Sequence, residues 1–136
     1  MQEMLNIFGP PISVYTRAQA IDDGHLVDVS ERAREAGFSI PVAMTRTVWE
    51  RLVALPKGYH GWQDESGRLW DVVWMAGHAA RRNPNRDRVP FCVHVRDVRR
   101  DGGDSGRPPR RHWPILAIGG GDAGEPVITI MFPSDD

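Results

Sequence analysis

Ser66-Gly67-Arg68-Leu69-Trp70-Asp71-Val72-Val73-Trp74-Met75-Ala76-Gly77-His78-Ala79-Ala80-Arg81-Arg82, followed beyond Asn83-Pro84-Asn85 by Phe91-Cys92-Val93-His94-Val95-Arg96, is the stretch whose reading decides the fold. In the first run Leu69, Val72, Val73, Ala76 and Ala80 recur at helical spacing. Trp70 and Trp74 widen that face, and Asp71, His78 and Arg82 lie opposite. So wide an apolar arc predicts a helix over 66–82 largely enclosed by the rest of the domain, with Trp70 and Val73 buried. In the second run the period changes to two. Phe91, Val93 and Val95 alternate with Cys92, His94 and Arg96, as in a strand with one buried face.

Working toward the C-terminus, 113–118 and 127–132 read as further strands, with the turn at 119–126 joining them as a hairpin. Toward the N-terminus, a helix begins after Thr45 and runs to Ala54, before Pro56, which cannot continue it. Its buried stripe is Val48, Trp49, Leu52 and Leu55. Thr16 caps a short helix over 17–23 stopped by Gly24, and Ser30 caps a second through Ala36 stopped by Gly37. Between them 25–29 is short, alternating and strand-like. The expectation is a single α+β domain over 1–136, with three or four helices packed on one face of a small antiparallel sheet of about three strands. Residues 1–15 read as an irregular lead-in. The Gly-, Pro-, Asp- and Arg-rich stretch 99–111 reads as a mobile loop.

Composition narrows the function classes. An apolar fraction of 40% in 136 residues suits one globular core. No apolar run approaches the ~20 residues needed to span a bilayer, and the N-terminus lacks a signal-peptide pattern, so a cytoplasmic location follows. Cys92 is the only cysteine, which excludes an intramolecular disulfide and a cysteine-based zinc site. Lys57 is the only lysine, a bias expected of a GC-rich coding sequence rather than of a demand for guanidinium. The net charge of −1 hides a split: residues 81–111 hold ten arginines against four aspartates, and the remainder is acidic. Overall neutrality argues against a dedicated nucleic-acid binder.

No catalytic motif is complete, and no catalytic, cofactor-binding or metal-ligating residue is assigned. Gly119-Gly120-Gly121-Asp122 precedes a strand, so it reads as a hairpin loop rather than a phosphate cradle. Cys92 and His94 would share a strand face some 6.5–7 Å apart, too far for a thiol and its base. His25, His60, His78, His94 and His112 form no helical zinc pair. His60 with Asp64, or His78 with Asp71, could meet as an acid–base pair, though no spacing demands it. Two segments remain as partner-binding candidates. Tyr59, His60 and Trp62 occupy a Gly-rich loop that helix periodicity does not assign to the core, and Arg107, Arg110 and Arg111 end the arginine segment. Protein binding is the leading reading, and nucleic-acid binding through 81–111 the alternative.

Tyr15-Thr16-Arg17-Ala18-Gln19-Ala20-Ile21-Asp22-Asp23-Gly24, Leu26-Val27-Asp28-Val29-Ser30 and Ala33-Arg34-Glu35-Ala36-Gly37-Phe38 carry a resemblance, joined by Pro41-Val42-Ala43-Met44-Thr45, Asp64-Glu65-Ser66-Gly67-Arg68-Leu69-Trp70-Asp71-Val72 and Glu125-Pro126-Val127-Ile128-Thr129-Ile130-Met131. Together these strings resemble an uncharacterised bacterial family, domain of unknown function number 6573, found largely on plasmids and other mobile elements. The chain departs from the family pattern at 83–111, and has Gly119-Gly120-Gly121-Asp122 where a Gly-Pro-Gly-Asp turn is expected. The resemblance brings no catalytic residues. It implies a mobile-element setting in which small proteins block host defences or assist transfer, and hence a host or element-encoded protein as partner.

Overall fold

The computed structural model describes residues 15–135. The expected lead-in over 1–15 therefore lies outside the described residues, apart from Tyr15.

Thr16 caps α1 (Arg17–Asp22) with a complete capping box: its hydroxyl accepts from Gln19 N–H and the Gln19 side chain accepts from Thr16 N–H. The chain then forms β1 (Leu26–Asp28), α2 (Ser30–Glu35) and β2 (Val42–Thr45). Gly24 and Gly37 follow the two short helices at positive φ, as expected of helix stops. Ser30 is not the cap that its residue type suggested. Asp28 accepts from Ser30 N–H and Oγ–H, and the Ser30 hydroxyl oxygen accepts from Val42 N–H at 3.0 Å, tying α2 to β2.

Thr45 caps α3 (Arg46–Val48), which widens into a π-helical turn over Trp49–Val53, closed by Ala54 N–H donating to Trp49 O at 2.8 Å. Helix α4 (Glu65–Arg82) starts one residue before the expected position, because Asp64 accepts from Gly67 N–H at 2.6 Å. After α4 come β3 (Arg88–Pro90), β4 (Val93–Val95), β5 (Arg110–His112), β6 (Ile115–Gly120) and β7 (Pro126–Met131).

The expected sheet is corrected. Five strands in the order β1-β2-β7-β6-β3 form a mixed sheet in which β2 and β7 run parallel, and β4 and β5 form a separate two-stranded ribbon. The reason lies mainly in β2, where Val42, Ala43 and Met44 are all buried. A central strand covered on both faces shows no alternation to read. Nor do all the helices serve one face. Arg17 of α1 donates to Thr129 Oγ1 at 2.7 Å and Ile128 O at 2.6 Å, and Thr129 alternates with the core-facing Ile128 and Ile130.

Strands β3 and β4 are one kinked run. Arg88 faces Ala117, Val89 faces Leu116 and Val95 faces Arg110 in an unbroken register, with Phe91 N–H donating to Pro114 O at 3.0 Å between them. Pro90 and Pro114 have no N–H to give, and the ladder lapses at that point. The alternation read over 91–95 holds and extends back to Val89: Val89, Phe91, Val93 and Val95 are buried.

The core forms where Leu116, Ile130, Val42 and Met44 of the sheet meet Val72, Val73 and Ala76 of α4 and Val48, Leu52 and Val53 of the π-helical segment. Val73 is fully buried as expected, but α4 is less enclosed than its apolar arc implied. Trp70 is half-buried, Trp74 is 46% exposed and Arg68 is buried in their stead. The tryptophans stack on each other at 5.5 Å, with Arg32 over Trp70 and Arg81 over Trp74. Their apolar area is shielded by each other and by guanidinium planes rather than by the core.

Candidate interaction surface

The loop that joins the π-helical turn to α4 carries Tyr59, His60 and Trp62, and the loop that joins β4 to β5 carries the arginine segment. Forty residues apart in sequence, they dock on each other. His60 N–H donates to Gly102 O at 2.9 Å. Asp104 then gathers the first loop: it accepts from Tyr59 Oη–H at 2.6 Å, Trp62 N–H at 2.8 Å and Gln63 Nε2 at 2.8 Å. Tyr59 Oη also accepts from Gln63 N–H at 2.6 Å. Gly102 permits this approach. It sits at φ +93°, and a Cβ there would stand 2.7 Å from Gly58 O.

The electrostatics follow from those contacts. Hydrogen bonds from Tyr59, Gln63 and the Trp62 amide pull the Asp104 carboxyl down to about 2. Burial, then the bond to Asp104, pushes the Tyr59 phenol above its ordinary value. Asp104 is thus an anion and Tyr59 a neutral donor across the physiological range.

The second loop is braced from its own side. Val98 and Asp104 form an isolated bridge, and Gly102 and Gly103 are buried. Arg96 Nη1 donates to Ser105 O at 3.2 Å and Arg107 O at 2.8 Å. Arg110 approaches Asp97 at 3.4 Å, and Arg99 approaches Asp101 at 3.3 Å. The stretch 99–111, expected to be a loop throughout, ends in strand β5.

Four of the six candidates from sequence therefore lie on this loop pair, and Arg110 and Arg111 follow in β5, opposite Val95 and His94. Their roles differ. Tyr59 is half-buried and its hydroxyl is committed to Asp104 and Gln63, so it serves the architecture. The exposed His60 ring meets Asp101 O at 3.2 Å. Arg107, Arg110 and Arg111 are exposed. Trp62 is 98% exposed while its own amide is held by Asp104. The backbone is fixed and the indole projects.

Sequence reasoning missed the residues that assemble this surface. Gln63 bridges both loops, donating to Asp104 and to Arg96 O at 3.2 Å. Arg68 lies beneath, donating from Nη1 to Gln63 Oε1 at 3.0 Å and from Nε to Leu52 O at 3.0 Å. For Arg68 a signal existed: it stands four residues before Val72, on the buried face of α4. For Gln63 and Asp104 none did, because only the fold brings them together.

The other motifs resolve simply. The turn expected over 119–126 is a hairpin loop confined to 121–125, because Gly119 and Gly120 pair with Val127 and Pro126, and Gly121 N–H donates to Glu125 O. Asp122 accepts from Arg17 N–H at 2.7 Å and Ala18 N–H at 3.1 Å, so the chain's own carboxylate occupies the start of α1. Among the described residues no three His, Cys, Asp or Glu side chains converge to hold a metal ion, and no helix is long and apolar enough to cross a membrane.

A family model described as "Family of unknown function (DUF6573)" matches residues 4–136. The chain belongs to this family. The match runs through the arginine segment, so both loops of the surface lie within the family's extent. No curated protein and no solved structure gives a significant match.

Proposed function

We propose that this family member is a non-enzymatic accessory protein that acts by binding a protein partner through the loop pair, with Trp62 as the anchor. Its setting is the cytoplasm of a bacterium carrying a plasmid or other mobile element. The partner is a host or element-encoded protein, and a defence complex of the CRISPR or restriction type is the partner class that this setting favours. The observation that carries the reading is the 98% exposure of Trp62 on a backbone fixed by Asp104. An exposed indole costs apolar hydration in the free protein. Buried against a partner, it contributes a large contact area for little lost rotamer freedom. The fixed backbone lowers the ordering cost further.

The arginines support a second reading, nucleic-acid binding by the same loops. The residues 56–63 and 96–111 hold seven basic side chains against three aspartates. Single-strand binders, however, line a basic groove with several stacking aromatics, and here the exposed rings of the pair are only Trp62 and the imidazole of His60. Binding to single- and double-stranded DNA and RNA across a salt series separates the two. The proposal expects no salt-steep binding. Tight binding at low salt, weakened by replacing Arg107, Arg110 and Arg111 with alanine, would install the nucleic-acid reading in its place.

A further inference from the structure

Behind the loop pair, α4 and β4 border a cleft of about 190 Å³ lined by Arg68, Gln63, Asp71, His94 and Arg96, among others. Arg68 is its unusual member. It is 9% exposed, the sole buried charged side chain among the described residues, and it takes part in none of their ion pairs. All its acceptors are neutral: Leu52 O at 3.0 Å, Gln63 Oε1 at 3.0 Å, Arg51 O at 3.3 Å and Arg96 O at 3.5 Å.

A buried guanidinium with no carboxylate in direct contact is expensive, because desolvation is offset only partly by neutral dipoles and by the more distant Glu65, Asp104 and Asp97 carboxylates. Two of those dipoles are carbonyls at the end of the π-helical turn, where a helix terminus supplies at most about half a negative charge. Four contacts also leave one of the five guanidinium N–H groups unused. The cleft's polar wall is otherwise cationic or neutral. Asp71 is the exception, an exposed residue whose carboxyl is raised above its ordinary value by partial desolvation at the cleft wall.

We propose that this cleft binds a carboxylate group, with Arg68 as the recognising cation and His94 as a flanking donor. Its volume is below the ~300 Å³ at which drug-sized sites begin, so it admits a small organic acid or one acidic side chain and excludes a nucleotide. This assignment stands on Arg68 and the cleft, and does not require Trp62 to bind anything.

The test is a titration of the ¹⁵N-labelled protein, followed by NMR at the Arg68 Nε–H, the Gln63 side-chain amide and His94. The probes are acetate, N-acetyl-glutamate amide and sulfate at equal ionic strength. The expected result is saturable shifts at these groups with the carboxylates and not with sulfate. Shifts with acetate alone assign the site to free acids, and shifts with the blocked glutamate as well extend it to a side chain. Asp71→Asn, a substitution at an exposed position, removes the competing charge without touching the core and should tighten binding about fivefold. Three results would each overturn the proposal: no shift up to about 50 mM carboxylate, equal shifts with sulfate, or an affinity unchanged by Asp71→Asn.

Discussion

Trp62 and Asp104 divide one task between them, the indole facing outward and the carboxylate holding the backbone behind it. Removing each should give a different signature. Trp62→Ala should leave stability within about 0.5 kcal/mol of the wild type in a denaturant melt, as expected of a surface side chain with no structural partner. Asp104→Ala should instead loosen the loop pair, read as faster hydrogen exchange at the Trp62 and His60 amides with core amides unaffected. Acid should mimic that substitution. The Asp104 carboxyl is held at about 2 in the folded chain, below its unfolded value, so its contribution is present above about pH 4 and lost as pH falls toward about 2. Protection at Trp62 that vanished already at pH 6 would show that another group holds the loop. At this scale the sequence marked Trp62 correctly as unassigned to the core. It was silent on Asp104, whose bonds to Tyr59, Trp62 and Gln63 each span 41 or more residues and follow no local rule.

Among the elements, α4 was the most legible, because a helical period survives over 18 residues whatever surrounds it. The period gave its existence and start to within a residue. It overstated burial by treating tryptophan as core material, whereas Trp70 and Trp74 shield one another on the solvent side. Trp70→Ala should therefore cost about 2 kcal/mol rather than the 3–5 typical of a fully buried tryptophan, and Leu116→Ala, at a fully buried position, should cost more. Equal losses in paired thermal melts would contradict this ordering. Strands β3 and β5 were illegible for another reason. Arg88-Val89-Pro90 and Arg110-Arg111-His112 have little strand character, and register with β6 and β4 makes them strands.

The ribbon also carries a pH dependence. His112 Nε2, in β5, is buried without a hydrogen-bond partner. Burial first, then Arg110, Arg51 and Arg68 against Asp97, hold its pKa below 6.5. The folded chain therefore binds fewer protons there than the unfolded one. Stability should fall as pH drops below about 6.5 and level off beneath the folded value. Replacing His112 with Gln should flatten that part of the pH profile, and an unchanged slope would assign it to another group.

For the whole molecule, charge is distributed by region rather than by net value. The loop pair is basic and the chain outside 81–111 is acidic, so an acidic partner surface would be drawn to the Trp62 side. That asymmetry was plain in the sequence. Its assembly was not, because the two candidate segments became one surface only when β4, β5 and α4 were in place. The family match covers residues 4–136, and both loops fall within it. The central claim is that Trp62 anchors a protein partner while contributing nothing to the fold. It is tested most directly by a quantitative comparison of proteins captured from the native host by the wild type and by Trp62→Ala, using baits of matched stability. Loss of a hot-spot tryptophan costs at least about 2 kcal/mol, so a specific partner should fall about 30-fold or more on the variant. Equal capture by both baits would contradict the account.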